Sequence, residues 1–258
     1  MGNFDKDEWE LYKLNEDRAQ TRNVAAEHPE VLEKLKALWT EQAKLLRGFR
    51  LDDRMALEII MSPRPQPSEP RDRYVYYPRL ADVPESVAVN IRRRSYTIAA
   101  GLTVDTPDAA GVLFANGGAG GGHCLFVKDR RLHYVYNWLG EKVQSVSADR
   151  DVPTGKHVLT AEFQKTGGDE QTRSAMGTLT LYVDEEPVGK GEIMTQPGFF
   201  ALFGDGLSVG RDGASPVSRA YAAPSAFTGG TIDRVVVDVS GDHYVDHEKE
   251  ILAYLARD

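Results

Sequence analysis

Apolar and polar residues change rhythm twice along this chain of 258 residues. Near the start, Trp9-Glu10-Leu11-Tyr12-Lys13-Leu14 alternates, with Trp9 and Leu11 on one side and Glu10, Tyr12 and Leu14 on the other. That spacing predicts a short β-strand. Asn23 to Glu30 then leads into a helix over 29–47, with Pro29 in its first turn, where a missing N–H costs nothing. Along it Leu32, Leu35, Leu38, Trp39, Ala43 and Leu46 share one face, and Glu33, Lys34, Lys36, Glu41 and Lys44 the other. Gly48 closes it. Leu51 to Met61 reads as a short helix or an extended segment. Pro63, Pro65, Pro67 and Pro70 then stiffen a largely extended connector.

From Tyr74 to Ser240 the period shortens to two, and β-prone runs recur between turns, as in an all-β sandwich or barrel. The expected strands are Ser86–Asn90, Tyr96–Val104, Gly111–Asn116, Cys124–Lys128, Arg131–Leu139, Glu141–Ser147, Lys156–Gln164, Thr178–Val183, Glu186–Ile193, Phe199–Phe203, Leu207–Gly210 and Gly230–Val239. Lys128-Asp129-Arg130-Arg131, Asn137 to Glu141 and Asp184-Glu185-Glu186-Pro187 read as hairpin turns. Leu179, Leu181 and Val183 fall on one side of their strand, and Thr178, Thr180 and Tyr182 on the other, as a sandwich requires. Val245 to Leu255 carries the spacing of a short amphipathic helix. The expected organisation is a strand–helix segment over 1–61, a proline-rich linker over 62–73, a mainly β sandwich over 74–241 and a C-terminal helix over 242–258.

Charge narrows the partners. The net charge of −8 argues against a nucleic-acid backbone. The triplet Arg92-Arg93-Arg94 is the one basic cluster, read as a solvated loop or, alternatively, an anion-binding patch. A single cysteine, Cys124, allows no intrachain disulfide. No apolar run reaches the roughly 20 residues of a membrane span, and Met1 to Glu8 lacks the apolar core of a signal peptide. These features suit a cytoplasmic protein of bacterial type.

Two stretches carry a family resemblance. Trp9 to Leu14 with Asp17, Asn23, Ala25, Ala26, His28, Pro29, Glu30, Leu32, Leu35, Leu38 and Trp39 resembles the end of the C-terminal subdomain of sulfatases, arylsulfatases in particular. The run from Gly111 through Asn116-Gly-Gly-Ala-Gly-Gly-Gly122 to Lys128, with Leu132 to Gly140, is similar to a jelly-roll module appended to one group of bacterial arylsulfatases, a concanavalin- or laminin-G-like sandwich. Val152 to Leu159, Leu181 to Asp184, Val209 to Gly213, Ser215 to Ser218 and Phe227 to Ile232 continue that likeness. The resemblance implies a complete enzyme that hydrolyses sulfate esters with a formylglycine nucleophile and a divalent metal such as calcium. This chain holds no C/S-x-P-x-R motif: Cys124 sits in Cys-Leu-Phe-Val-Lys and Ser68 in Ser-Glu-Pro-Arg-Asp. The chain is therefore expected to be a non-catalytic C-terminal part, without cofactor of its own, partnered by a sulfatase catalytic domain. A strand at Trp9 with nothing before it to pair with suggests a fold begun upstream, and self-association through Trp9–Leu14. The other reading is a free-standing lectin-like carbohydrate-binding module.

Individual residues fill in the candidates. The glycine run Asn116–Gly122 has no Lys-Ser/Thr and reads as a strand connection rather than a phosphate cradle. His243 and His247 have the spacing of a helical metal pair but lack the Glu of H-E-x-x-H, so a polar helix face is the plainer account. Asp205 and Asp212 are candidate calcium ligands in loops at one rim, or turn residues with local hydrogen bonds. Asp184-Glu185-Glu186 sits in a turn, at the wrong spacing for a glycosidase carboxylate set. Tyr134, Tyr136 and Trp138 alternate on one strand as a candidate sugar-stacking rim, or as core.

Overall fold

The computed structural model describes residues 7–46, 48, 71–85, 87–169, 174–196, 205–213 and 215–241. The chain divides into two units, Met1–Pro65 and Gln66–Asp258.

The described residues of unit 1 form a loop and one helix. Trp9 to Leu14, expected as a strand, has no ladder partner among the described residues and runs as irregular chain. Alternation supplies two faces but no partner, and the polar groups of Leu11 are taken locally. Its N–H donates to Asn23 Oδ1 at 3.1 Å and its carbonyl accepts from Val24 N–H at 2.8 Å. Asp17 pins the bend between them, its carboxylate accepting from the N–H groups of Thr21 and Arg22, each at 2.8 Å. Helix α1 (Pro29–Leu45) follows, with proline at its start, Glu30 in the first turn and Lys44 in the last, as the helix dipole favours. It stops two residues before the expected end. Leu51–Met61 and the prolines of the connector lie outside the described residues.

The described strands of unit 2 form two antiparallel sheets. One has six strands in the order β1 (Arg73–Tyr76), β11 (Gly230–Asp238), β2 (Tyr96–Val104), β7 (Gly155–Asp169), β8 (Ser174–Val183) and β9 (Glu186–Thr195). The other has five: β10 (Leu207–Val209), β3 (Gly111–Gly118), β4 (Gly121–Lys128), β5 (Arg131–Trp138) and β6 (Lys142–Ser147). This is a mainly β sandwich of jelly-roll type. Period-two alternation puts Ile98, Ala100 and Leu102 of one sheet against Leu125, Leu132 and Tyr134 of the other, all fully enclosed. Each of the Ile and Leu side chains contributes about 1.5–3 kcal/mol of transfer free energy. A smaller cluster on the far side of the five-stranded sheet joins Val112, Ala115, Cys124, Phe126 and Val135 to Val217 and Tyr221 of the loop after β10.

Turn chemistry sets the hairpins. Asp129 (φ 50°) and Arg130 (φ 65°) both adopt left-handed backbone between β4 and β5, the primed turn that matches strand twist. Leu139 and Gly140 do the same before β6. Three expectations differ from the outcome. The segment around 87–90 is not a strand: Val87 and Ala88 N–H groups fold back onto the Pro84 carbonyl. Arg73–Tyr76 is a strand although the expected linker extends to residue 73, because β11 offers it a free edge. The glycine connection is ordered ladder, with Gly117 opposite Gly122 and Gly118 opposite Gly121. Phe199–Phe203, the C-terminal helix over 242–258, and His243 and His247 lie outside the described residues.

Candidate functional site

The aromatic row on β5 faces inward. Leu132, Tyr134 and Tyr136 are fully buried in the inter-sheet core, and Trp138 is half-buried against it. A sugar cannot stack on Tyr134 or Tyr136, which share the phase of Leu132; the core alternative describes them. Their hydroxyls build a polar thread through the apolar interior. Tyr96 and Tyr134 are hydrogen-bonded at 2.7 Å, Tyr134 reaches His123 Nδ1 at 3.2 Å, and Tyr136 accepts from Gln196 N–H at 2.8 Å. His123 stands among Phe114, Tyr96, Tyr134 and Tyr136, ring centres 5.3–6.1 Å away. Burial drives its pKa down to about 3, so the imidazole is neutral at physiological pH. The same burial raises both Tyr96 and Tyr134.

The rim candidates separate in role. Asp212 is buried, and its carboxylate organises its own loop. Oδ1 accepts from Gly213 N–H at 2.7 Å; Oδ2 accepts from Val217 N–H at 2.9 Å and from the Tyr221 hydroxyl. Burial raises its pKa, against the lowering effect of these three donors. Asp205 lies close by, beside Gly118 and Gly213. Among the described residues no three His, Cys, Asp or Glu side chains converge, and the Asp212 carboxylate is engaged in holding its own turn. Cys124 lies beneath the same loop, its thiol pushed up by burial and so kept protonated.

Unit 1 presents a different kind of surface. No side chain of α1 is buried. Leu35, Leu38 and Trp39 are 39–50% exposed, and with Leu32, Trp9 and Leu11 they line an open apolar groove of about 460 Å³. Trp9 meets Trp39 edge to face, ring centres 5.5 Å apart.

His123 and Gln196, two buried polar anchors, are not singled out by any sequence motif. The one sequence signal was the phase of β4, in which His123 precedes Leu125 and Val127 on the inward side.

No family model matches this chain, and no curated protein does. Solved structures are similar in fold. The CBM40 module of the Ruminococcus gnavus IT-sialidase, bound to alpha2,3 sialyllactose, aligns at 15% identity and TM-score 0.38, over 60% of this chain and 80% of that one. Domains LG4-5 of the mouse laminin alpha1 chain align at 14% identity and TM-score 0.40, over 67% of this chain and 41% of that one. Among the described residues no helix is long and apolar enough to cross a membrane.

Proposed function

We propose that this chain is a non-catalytic accessory part of a larger hydrolase of the arylsulfatase kind: a β-sandwich module with a docking segment, the groove of unit 1. The observation that carries this reading is α1. It is seventeen residues long and amphipathic, yet none of its side chains is buried. Apolar stripes of this width form where a partner covers them. The occupant is a sulfatase catalytic domain, because the groove residues Trp9, Leu11, Leu32, Leu35, Leu38 and Trp39 belong to the stretch that resembles the sulfatase subdomain. The nucleophile and its metal would come from that partner, since this chain has no C/S-x-P-x-R motif.

The test mixes the purified chain with a sulfatase catalytic portion lacking its own C-terminal part, and measures complex formation and aryl sulfate turnover. The expected result is a complex that turns over substrate and is lost with Leu38→Lys. Absence of a complex, whether the two are mixed or co-expressed, overturns the reading.

A second reading is a free-standing lectin-like carbohydrate-binding module; that unit 2 has its own inter-sheet core supports the free-standing part of it. Glycan-array binding by the isolated chain that Leu38→Lys leaves intact would support it over the first.

A further inference from the structure

At the edge of the sandwich where β2 and β7 meet, a short arginine-rich turn is held in one shape from several sides. Asn90 Oδ1 accepts from Arg92 N–H at 3.0 Å. The Arg92 guanidinium is half-buried and paired with Glu85 at 3.3 Å, which fixes the turn and removes that charge from use. Arg94 donates to the Val239 carbonyl. From β7, Lys165 N–H donates to Ser95 Oγ at 3.0 Å, and Lys165 Nζ to the Arg93 carbonyl at 3.2 Å. Between these anchors Arg93 sits at φ 61°, a left-handed backbone that side-chain-bearing residues rarely adopt. Arg93, Arg94 and Lys165 are exposed, and none of the three is in an ion pair with a described carboxylate. Three exposed cations on a backbone held in one shape thus stand out on a chain whose net charge is −8.

We propose that Arg93, Arg94 and Lys165 form an oxyanion-docking site for the sulfate groups of a sulfated polysaccharide. Guanidinium presents a planar fork that bonds tetrahedral oxyanions through paired N–H groups. A backbone already fixed by Asn90, Glu85, Val239 and Ser95 lowers the ordering cost on binding. The choice of sulfate among oxyanions rests on the accessory reading above; the cationic site itself rests on the turn.

The experiment measures binding of the full chain to dextran sulfate, unsulfated dextran, carboxymethyl dextran and polyphosphate at 50 mM and 200 mM salt. It compares wild type, Arg93→Ala/Lys165→Ala, and Lys142→Ala/Lys190→Ala, which changes net charge equally at two other exposed lysines. Dextran sulfate is expected to bind in a salt-dependent way, and the Arg93/Lys165 double variant to lose about tenfold or more in affinity. The Lys142/Lys190 variant should stay within about twofold, and unsulfated dextran should not bind. No binding of dextran sulfate at 50 mM salt, or equal loss in both double variants, overturns the site. Equal affinity for polyphosphate or carboxymethyl dextran, lost with Arg93, overturns the sulfate assignment and leaves the docking site standing. Each variant is checked by thermal melting, so that loss of fold is told from loss of binding.

Discussion

His123 is the residue whose environment departs furthest from its chemistry in water. It is fully enclosed and faces Tyr96 from β2 and Tyr134 and Tyr136 from β5. Its folded pKa of about 3 lies below the ordinary 6.5. The unfolded chain therefore binds a proton that the folded chain refuses. The associated stability is present above pH 6.5 and is lost as pH falls from there toward 3, on the order of 3–5 kcal/mol across the window. Melting temperatures between pH 8 and 4 should fall on the acid side, and His123→Phe should flatten that fall. Parallel profiles for the two proteins would sink the assignment. Gly118 is a second residue with a sharp expectation. A Cβ there would stand 2.4 Å from Asp205 Oδ2 and 2.8 Å from the Ser215 carbonyl, whereas one on Gly120 meets nothing within 4 Å. Gly118→Ala should destabilise by about 1–3 kcal/mol, and Gly120→Ala by under about 0.5 kcal/mol, as read by denaturant midpoints at constant m-value.

Strands whose apolar phase is met by a facing sheet were legible in the sequence, and segments whose fate is decided by hydrogen-bond partners elsewhere in the chain were not. Tyr96–Val104 and Leu179-Thr-Leu-Tyr-Val183 show one apolar phase that burial in a sandwich requires, and they form as expected. Trp9–Leu14 shows the same alternation but is no strand, because Asn23 and Val24 satisfy Leu11 before any second strand can. Arg73–Tyr76 was hidden by neighbouring prolines; its pairing is decided by the free edge of β11, which local sequence does not display. At the site level, Arg92-Arg93-Arg94 was visible as charge, but its backbone shape and its link to Lys165, over seventy residues away, exist only in the fold. The phase of β5 held the answer for Tyr134 and Tyr136, since Leu132 two residues earlier fixes which side is core. For α1 the pattern named the apolar face and the structure leaves that face open. Leu38, half exposed, should therefore tolerate Leu38→Lys within about 0.5 kcal/mol in the isolated chain. The same substitution should abolish docking to a catalytic partner. A large loss of stability in the isolated chain would show that the face is already covered.

At the scale of the whole molecule the two units differ in what holds them. Unit 2 owns a continuous inter-sheet core drawn from both sheets. In unit 1, Val24 is the only described apolar side chain that is buried, and no residue of α1 is. A helix of seventeen residues is marginal in water without tertiary packing. The isolated chain should therefore not unfold as one cooperative unit. The helical far-ultraviolet signal should decay gradually at lower temperature, and the sandwich should melt sharply above it, so that the two probes do not coincide. A fragment over 66–258 should keep the sharp transition within about 4 °C of the full chain, a difference of under about 1 kcal/mol for a unit of this size. Adding a catalytic partner that occupies the groove should raise the helical transition with partner concentration, because a ligand that binds only the folded form stabilises it by mass action. It should leave the sandwich transition in the 66–258 fragment unmoved, since that fragment lacks the groove. A single coincident transition in the isolated full chain, or a fragment that fails to melt cooperatively, would mean that the stability of α1 and of the sandwich is shared, and the docking role of unit 1 would lose its physical basis.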